Sequence, residues 1–127
     1  MLKSIRILLS IAATLDYKIW QMNVKTAFLN GHLEENINIV QLDGFKAKFQ
    51  ENKVCKLLKS IYGLKQASRS WNMRFDQAVK SYRLKQNVDE LCVYKHFKDK
   101  KEIFLVLYVD DILIIENDVG ILTSVKF

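Results

Sequence analysis

Proline is absent from all 127 residues, where an average chain of this length would carry about six. Proline-rich spacers are therefore excluded, and neither repeats nor low-complexity tracts take their place. Cysteine is scarce. Cys55 and Cys92 lie far apart, and neither has metal-ligand spacing with His32 or His96. They read as ordinary reduced core thiols of an intracellular protein, which argues against a disulfide framework or a Cys/His metal site. No apolar run approaches the roughly 18 residues of a membrane span. The opening MLKSIRILLSIAAT does imitate a secretion signal, with Lys3 and Arg6 ahead of an apolar run. Its positions Ile5, Leu8, Leu9, Ala12 and Leu15 equally suit an amphipathic helix lying on a core.

Half of the residues are apolar, so disorder is excluded, and the length allows one domain at most. The net charge of +6 favours polyanionic partners such as nucleic acid. That charge is unevenly spread: residues 46–85 carry eleven basic side chains against Glu51 and Asp76, a net +9, so the remainder is negative. With Tyr62 and Trp71 interleaved, this stretch can track a phosphate backbone; a solvated, lysine-rich surface explains it equally well.

The chain is organised around Ile103 to Asn117, IFLVLYVDDILIIEN. Short branched apolar runs flank Asp110 and Asp111, which predicts a β-hairpin with both acids at or near its tip. Adjacent like charges beside apolar surface ionise at a cost that a divalent cation removes. A solvated turn is the plainer alternative, although Asp-Asp makes a poor two-residue turn.

Around this hairpin the pattern predicts a helix over Ser4–Leu15 and a strand over Tyr17–Val24. A tight turn or short helix follows at Lys25–Asn30, stopped by Gly31. Strands are expected at Leu33–Val40, ended by an Asp43–Gly44 turn, at Val54–Tyr62, broken at Gly63, and at Leu91–Phe97. The clearest helix is Gln66–Leu84, with Trp71, Phe75, Ala78, Val79 and Tyr82 on one face. Residues 119–127 look like the start of another helix. The resulting class is α+β, an antiparallel sheet with helices packed on one face.

Five stretches together carry a resemblance that none carries alone: SIRILLSIAA, QMNVKTAFLNGHLEE, VCKLLKSIYGLKQASRSWN, the CVY before the hairpin, and LYVDDILII. In this order and spacing the chain resembles the reverse transcriptase domain of Ty1/copia-type retrotransposon Pol polyproteins, over essentially its whole length. The resemblance implies a palm/fingers portion of a right-hand polymerase, an RNA-directed DNA polymerase working on RNA template, DNA primer and dNTP. It implies the rest of the Pol polyprotein as partner, no membrane, and an intracellular setting. The upstream fingers, thumb, connection and RNase H parts are expected to lie outside this chain.

By the same resemblance, Asp110 and Asp111 hold two Mg²⁺ ions with a third carboxylate, activating the primer 3′-hydroxyl and bracing the triphosphate. Tyr108 supports the primer end, and Phe28 is the aromatic gate under the incoming sugar. Backbone amides near Thr26 and Ala27 cradle phosphates. Tyr62 and Gly63 lie beside the nascent base pair, with Lys65 and Arg69 toward the template. Without the resemblance, Phe28 reads as a core aromatic and Gly63 as a strand break.

The sequence departs from the pattern at Asn23, which stands where the family has its third catalytic Asp. A neutral carbonyl oxygen there replaces an ionised ligand. Losing one preorganised electrostatic group costs enzymes about 10²- to 10³-fold in turnover. Leu42, Ser68 and Leu91 replace prolines, which loosens turns modestly, and Glu116 replaces a small glycine. The expectation is a crippled polymerase domain; a non-catalytic nucleic-acid binder and an inert transposon remnant are the alternatives.

Overall fold

The computed structural model describes residues 2–118, and the helix expected over residues 119–127 lies outside them. The chain divides into two compact units, one built from residues up to Ala27 and from Phe75 onward, the other from Phe28–Arg74.

The first unit is a five-stranded antiparallel sheet in the order β1-β7-β6-β5-β4. Its members are β1 (Lys18–Asn23), β4 (Lys85–Gln86), β5 (Val93–Lys98), β6 (Lys101–Tyr108) and β7 (Asp111–Glu116). Helix α1, Leu2–Leu15, precedes them. It closes with Asp16 in the left-handed region (φ 54°) and the Tyr17 N–H donating back to the Ala12 carbonyl at 2.9 Å. That is the Schellman geometry, here with Asp at the position glycine usually takes.

The register sorts the sheet side chains. Val93, Val106, Leu113 and Ile115 share one face, where Ile5, Leu8 and Ala12 of α1 cover them. Tyr94, Leu105 and Ile114 share the other. There Phe75, from helix α2 (Ala67–Ser81), meets Tyr94 edge to face at 5.8 Å. The two helices therefore cover opposite faces of the sheet, not one face as expected. Double coverage accounts for the unbroken apolar run of Ile103–Leu107: a strand buried on both sides has no polar face to alternate with.

Two hairpins shape the sheet. The β5–β6 turn is Asp99–Lys100, with φ of 52° and 64°, the signs of a type I′ turn. The β6–β7 turn is Val109–Asp110, because Tyr108 pairs with Asp111. At the open end Asn117 accepts from the Glu102 N–H at 2.9 Å and donates to the Lys100 carbonyl at 2.7 Å, clamping the strand ends.

The second unit holds a two-stranded sheet, β2 (Asn38–Val40) against β3 (Val54–Lys56). These are much shorter than the Leu33–Val40 and Val54–Tyr62 strands that the sequence predicts. Beyond Lys56 the chain turns repeatedly, and Gln41 holds the long loop, donating to the carbonyls of Gln50 (2.7 Å) and Lys53 (2.8 Å). Asp43–Gly44 does form a turn: the Phe45 N–H reaches the Leu42 carbonyl at 3.0 Å, with Gly44 at φ 85°. Cys55 is exposed on β3, so only the partly buried Cys92 fits the expectation of a core thiol. No helix among the described residues is long and apolar enough to cross a membrane.

Candidate active site at the β6–β7 tip

The site begins with a turn that a β-branched residue makes costly. Val109 takes φ 57° as the first central residue of a two-residue hairpin, a position that favours glycine. A β-branched residue there is a true outlier, and strain of this kind, about 1–3 kcal/mol, gathers at functional sites. Thr26, shortly after β1, is left-handed as well at φ 54°. Between them the Val24 N–H donates to the Asp110 carbonyl at 2.7 Å, extending the β1–β7 ladder to the turn itself.

This ladder fixes a row of side chains. Tyr108 lies opposite Asp111 and Asp111 opposite Asn23, so the ends of β6, β7 and β1 present all three on one face. Asn23 Nδ2 donates to Asp111 Oδ1 at 3.1 Å. The direction follows from chemistry, since a carboxylate only accepts. Tyr108 and Asn23 are exposed, Asp111 is half-buried, and Asp110 sits half-buried in the turn beside them. The sequence foresaw the hairpin and its acids, but not that Val109 rather than Asp111 shares the tip with Asp110.

For an oxygen-seeking cation this row offers two carboxylates and one amide. Among the described residues no three His, Cys, Asp or Glu side chains are placed to hold a metal. One lone pair of Asp111 is already committed to the Asn23 amide. The donor set does not fit a pair of divalent ions, which requires more anionic oxygens than two side chains supply.

Other residues singled out by the sequence lie further along. Thr26 is exposed and donates its hydroxyl to the Lys25 carbonyl at 2.7 Å. Ala27 is fully buried at the start of a 3-10 helix, Ala27–Asn30. In the second unit Phe28 stacks on Tyr62, ring centroids 4.4 Å apart and planes 28° apart. The Tyr62–Gly63 turn closes with the Leu64 N–H on the Ile61 carbonyl at 3.4 Å, and Gly63 sits at φ 93°. A type II turn needs that sign at its third residue, so glycine is required for backbone reasons and not only as a strand break. Lys65 and Arg69 are exposed, Arg69 in the first turn of α2.

Gly31 was expected only to stop a helix. A Cβ built on it would lie 2.9 Å from the Ser70 Cβ and 3.1 Å from the Trp71 nitrogen. Its role is close approach to α2, and a single sequence carries no signal for that.

Comparison with known proteins adds the ancestry. A family profile described as reverse transcriptase (RNA-dependent DNA polymerase) matches residues 1–127. The retrovirus-related Pol polyprotein from transposon TNT 1-94 of Nicotiana tabacum is 48% identical over 124 residues, covering 97% of this chain and 9% of that protein. The Pol polyprotein from transposon RE1 of Arabidopsis thaliana is 37% identical over 115 residues, 91% of this chain and 8% of that protein. A putative transposon Ty5-1 protein of Saccharomyces cerevisiae is 32% identical over 105 residues, 83% of this chain and 34% of that protein. The chain thus spans less than a tenth of the first two relatives. No solved structure matches.

Proposed function

This chain belongs to the reverse transcriptase family of copia-type retrotransposon Pol polyproteins, and from that premise we propose that it is a palm/fingers portion whose RNA-directed DNA polymerase chemistry is impaired at one position. The observation that carries this is the Asn23–Asp111 hydrogen bond. Facing carboxylates at paired strand positions repel each other and recruit a cation. An amide and a carboxylate satisfy each other directly. The substitution therefore removes a ligand charge and also the electrostatic demand for an ion.

Reverse transcriptases generally use divalent metals, and Mg²⁺ is the expected ion, but this donor set does not support a step routed through a pair of them. What the chain keeps is the positioning machinery. Tyr108 and Asp111 share a face for the primer end. The stacked Phe28–Tyr62 pair gives the sugar and base of a dNTP an apolar surface. Lys65 and Arg69 offer charge to a template strand. An RNA template, a DNA primer and the remainder of the Pol polyprotein, inside the cell, complete this reading.

The test is primer extension. With an RNA template, a DNA primer, dNTPs and either Mg²⁺ or Mn²⁺, the chain is expected to give no templated product. Clear extension overturns the impairment. Transplanted into an active relative, the same segment should regain synthesis on Asn23→Asp; no recovery assigns the defect elsewhere.

A second reading, a nucleic-acid binder without catalysis, draws on the net +9 of residues 46–85. It requires retention on RNA that weakens steeply with salt.

A further inference from the structure

We propose that the outer margin of β5 is a second polynucleotide site, a cleft that takes phosphates of a single strand on Arg83, Lys85, Lys95 and Lys98 and a base against Phe97. The proposal does not rest on the polymerase reading, because the cleft lies away from the acids. The eight residues of β6 run from the β5–β6 turn to the acidic tip, roughly 23 Å at about 3.3 Å per residue. Lys98 stands at the turn end of that span.

The cleft exists because β4 is only two residues long. It pairs Lys85 and Gln86 with Lys95 and Tyr94, leaving His96 to Lys98 with no outer neighbour in the sheet among the described residues. Arg83, left-handed at φ 65°, turns the chain away just before β4. Its carbonyl is held by the His96 ring through Nδ1 at 3.0 Å, and a carbonyl only accepts, so that nitrogen carries the proton. The result is an open hollow of about 370 Å³ lined by Arg83, Lys85, Lys95, His96, Phe97 and Lys98, with no acidic side chain in its wall.

Three features set this hollow apart from an ordinary lysine-rich surface. Lys85 and Lys95 are direct cross-strand partners, an arrangement of like charges that is destabilising until an anion sits between them. Nearby cations do have carboxylate partners: Lys80 bonds Asp76 at 2.7 Å and Lys101 bonds Asp118 at 2.6 Å. Among the described residues, the four cleft cations have none. Phe97 is 53% exposed beside them, braced edge to face on Phe104 at 5.5 Å, and so offers a flat apolar surface. Cations around an available aromatic are what a flexible phosphodiester strand with free bases requires. Lysines on a sheet margin also deter strand pairing, but that role needs neither a hollow nor an exposed ring.

The experiment is fluorescence anisotropy of the full chain with labelled 20-mers of oligo(dT) and oligo(U), in EDTA and without nucleotide, across a salt series. The double variant Lys85→Gln/Lys95→Gln is expected to bind about tenfold more weakly at low salt. Its log–log salt slope should fall by about 1.4, at about 0.7 per phosphate on a single strand. Its thermal midpoint should hold or rise, because a like-charge pair has been removed. Phe97→Leu should weaken binding and leave the slope alone. Should the first pair fail to fold, Arg83→Gln/Lys98→Gln tests the same wall.

Unchanged affinity and slope overturn the site, as does an equal loss from a Lys46→Gln/Lys48→Gln control in the other unit. A duplex that competes as well as the single strand overturns the single-strand assignment. With no metal or dNTP present, failure here leaves the polymerase reading intact, and absence of primer extension leaves this one intact.

Discussion

At position 23 the difference between Asp and Asn is one of charge at nearly constant shape. Asn23→Asp is expected to replace the 3.1 Å hydrogen bond with a facing pair of carboxylates, costing a few tenths to about 1 kcal/mol in EDTA. Millimolar Mg²⁺ or Mn²⁺ should then raise the variant's thermal midpoint more than the parent's, since an ion that binds only the folded form stabilises it. Equal increments would show that position 23 does not govern ion binding. Glu116 is the opposite problem. It has no solvent exposure, and among the described residues neither carboxylate oxygen has a hydrogen-bond partner. Burial pushes its carboxyl above the usual range, and Asp118 adds to that. Trp20 beside it pulls the other way without a sound hydrogen bond. A folded-state value raised above the unfolded 4.5 means the stability contribution is whole below that pH and is lost as pH climbs through the folded value. Glu116→Gln is accordingly expected to be the more stable chain at pH 7.5, by about 1–3 kcal/mol. Its advantage should shrink toward pH 5 in paired urea titrations; a gap independent of pH refutes the assignment.

Among the elements, the hairpin at residues 103–116 was the most legible in the sequence, because apolar runs of that length on either side of two acids leave few other solutions. Helix α2 was legible too, through Trp71, Phe75 and Val79 at helical spacing, all three buried. Which face each helix covers was not. That depends on strand register, and a strand apolar on both sides gives no alternation to read it from. β4 escaped because two residues make no pattern, and β2 and β3 were overdrawn because apolar residues such as Leu58 and Val40 lie in the open, 88% and 77% exposed. In the site, the acids were visible as residue types, whereas the strain at Val109 appears only once the register fixes the turn. Val109→Gly should therefore stabilise the hairpin by about 1 kcal/mol, the left-handed penalty less glycine's entropy, raising the thermal midpoint by a few degrees. No gain would mean the turn carries no strain. Gly31→Ala is expected to do the reverse. A methyl group 2.9 Å from the Ser70 side chain should cost about 1–3 kcal/mol, read in the same melts.

Taken whole, the molecule is unevenly consolidated. Most of its buried apolar side chains belong to the first unit, including Ile103, Leu105, Val106, Leu107, Ile112, Ile114 and Ile115, whereas the second unit buries chiefly Ala67 and Trp71. Native-state hydrogen exchange is expected to show slow amides in β6, β7 and the later turns of α2. Amides of residues 28–60 should open at much lower free energy; uniform protection would contradict this. Such a division has a bearing on the proposed positioning role, since the strand row with Asp111 sits in the durable part and the Phe28–Tyr62 stack in the yielding one. Finally, β1 is the margin strand of its sheet, with Ile19 and Trp20 turned partly to solvent. An intruding strand that docked alongside Lys18–Asn23 would add a sixth rung and cap the doorway to Asn23 in the same act. Crowding the protein should thus cover the candidate site, and aggregation and access to Asn23 become rivals for six residues of backbone.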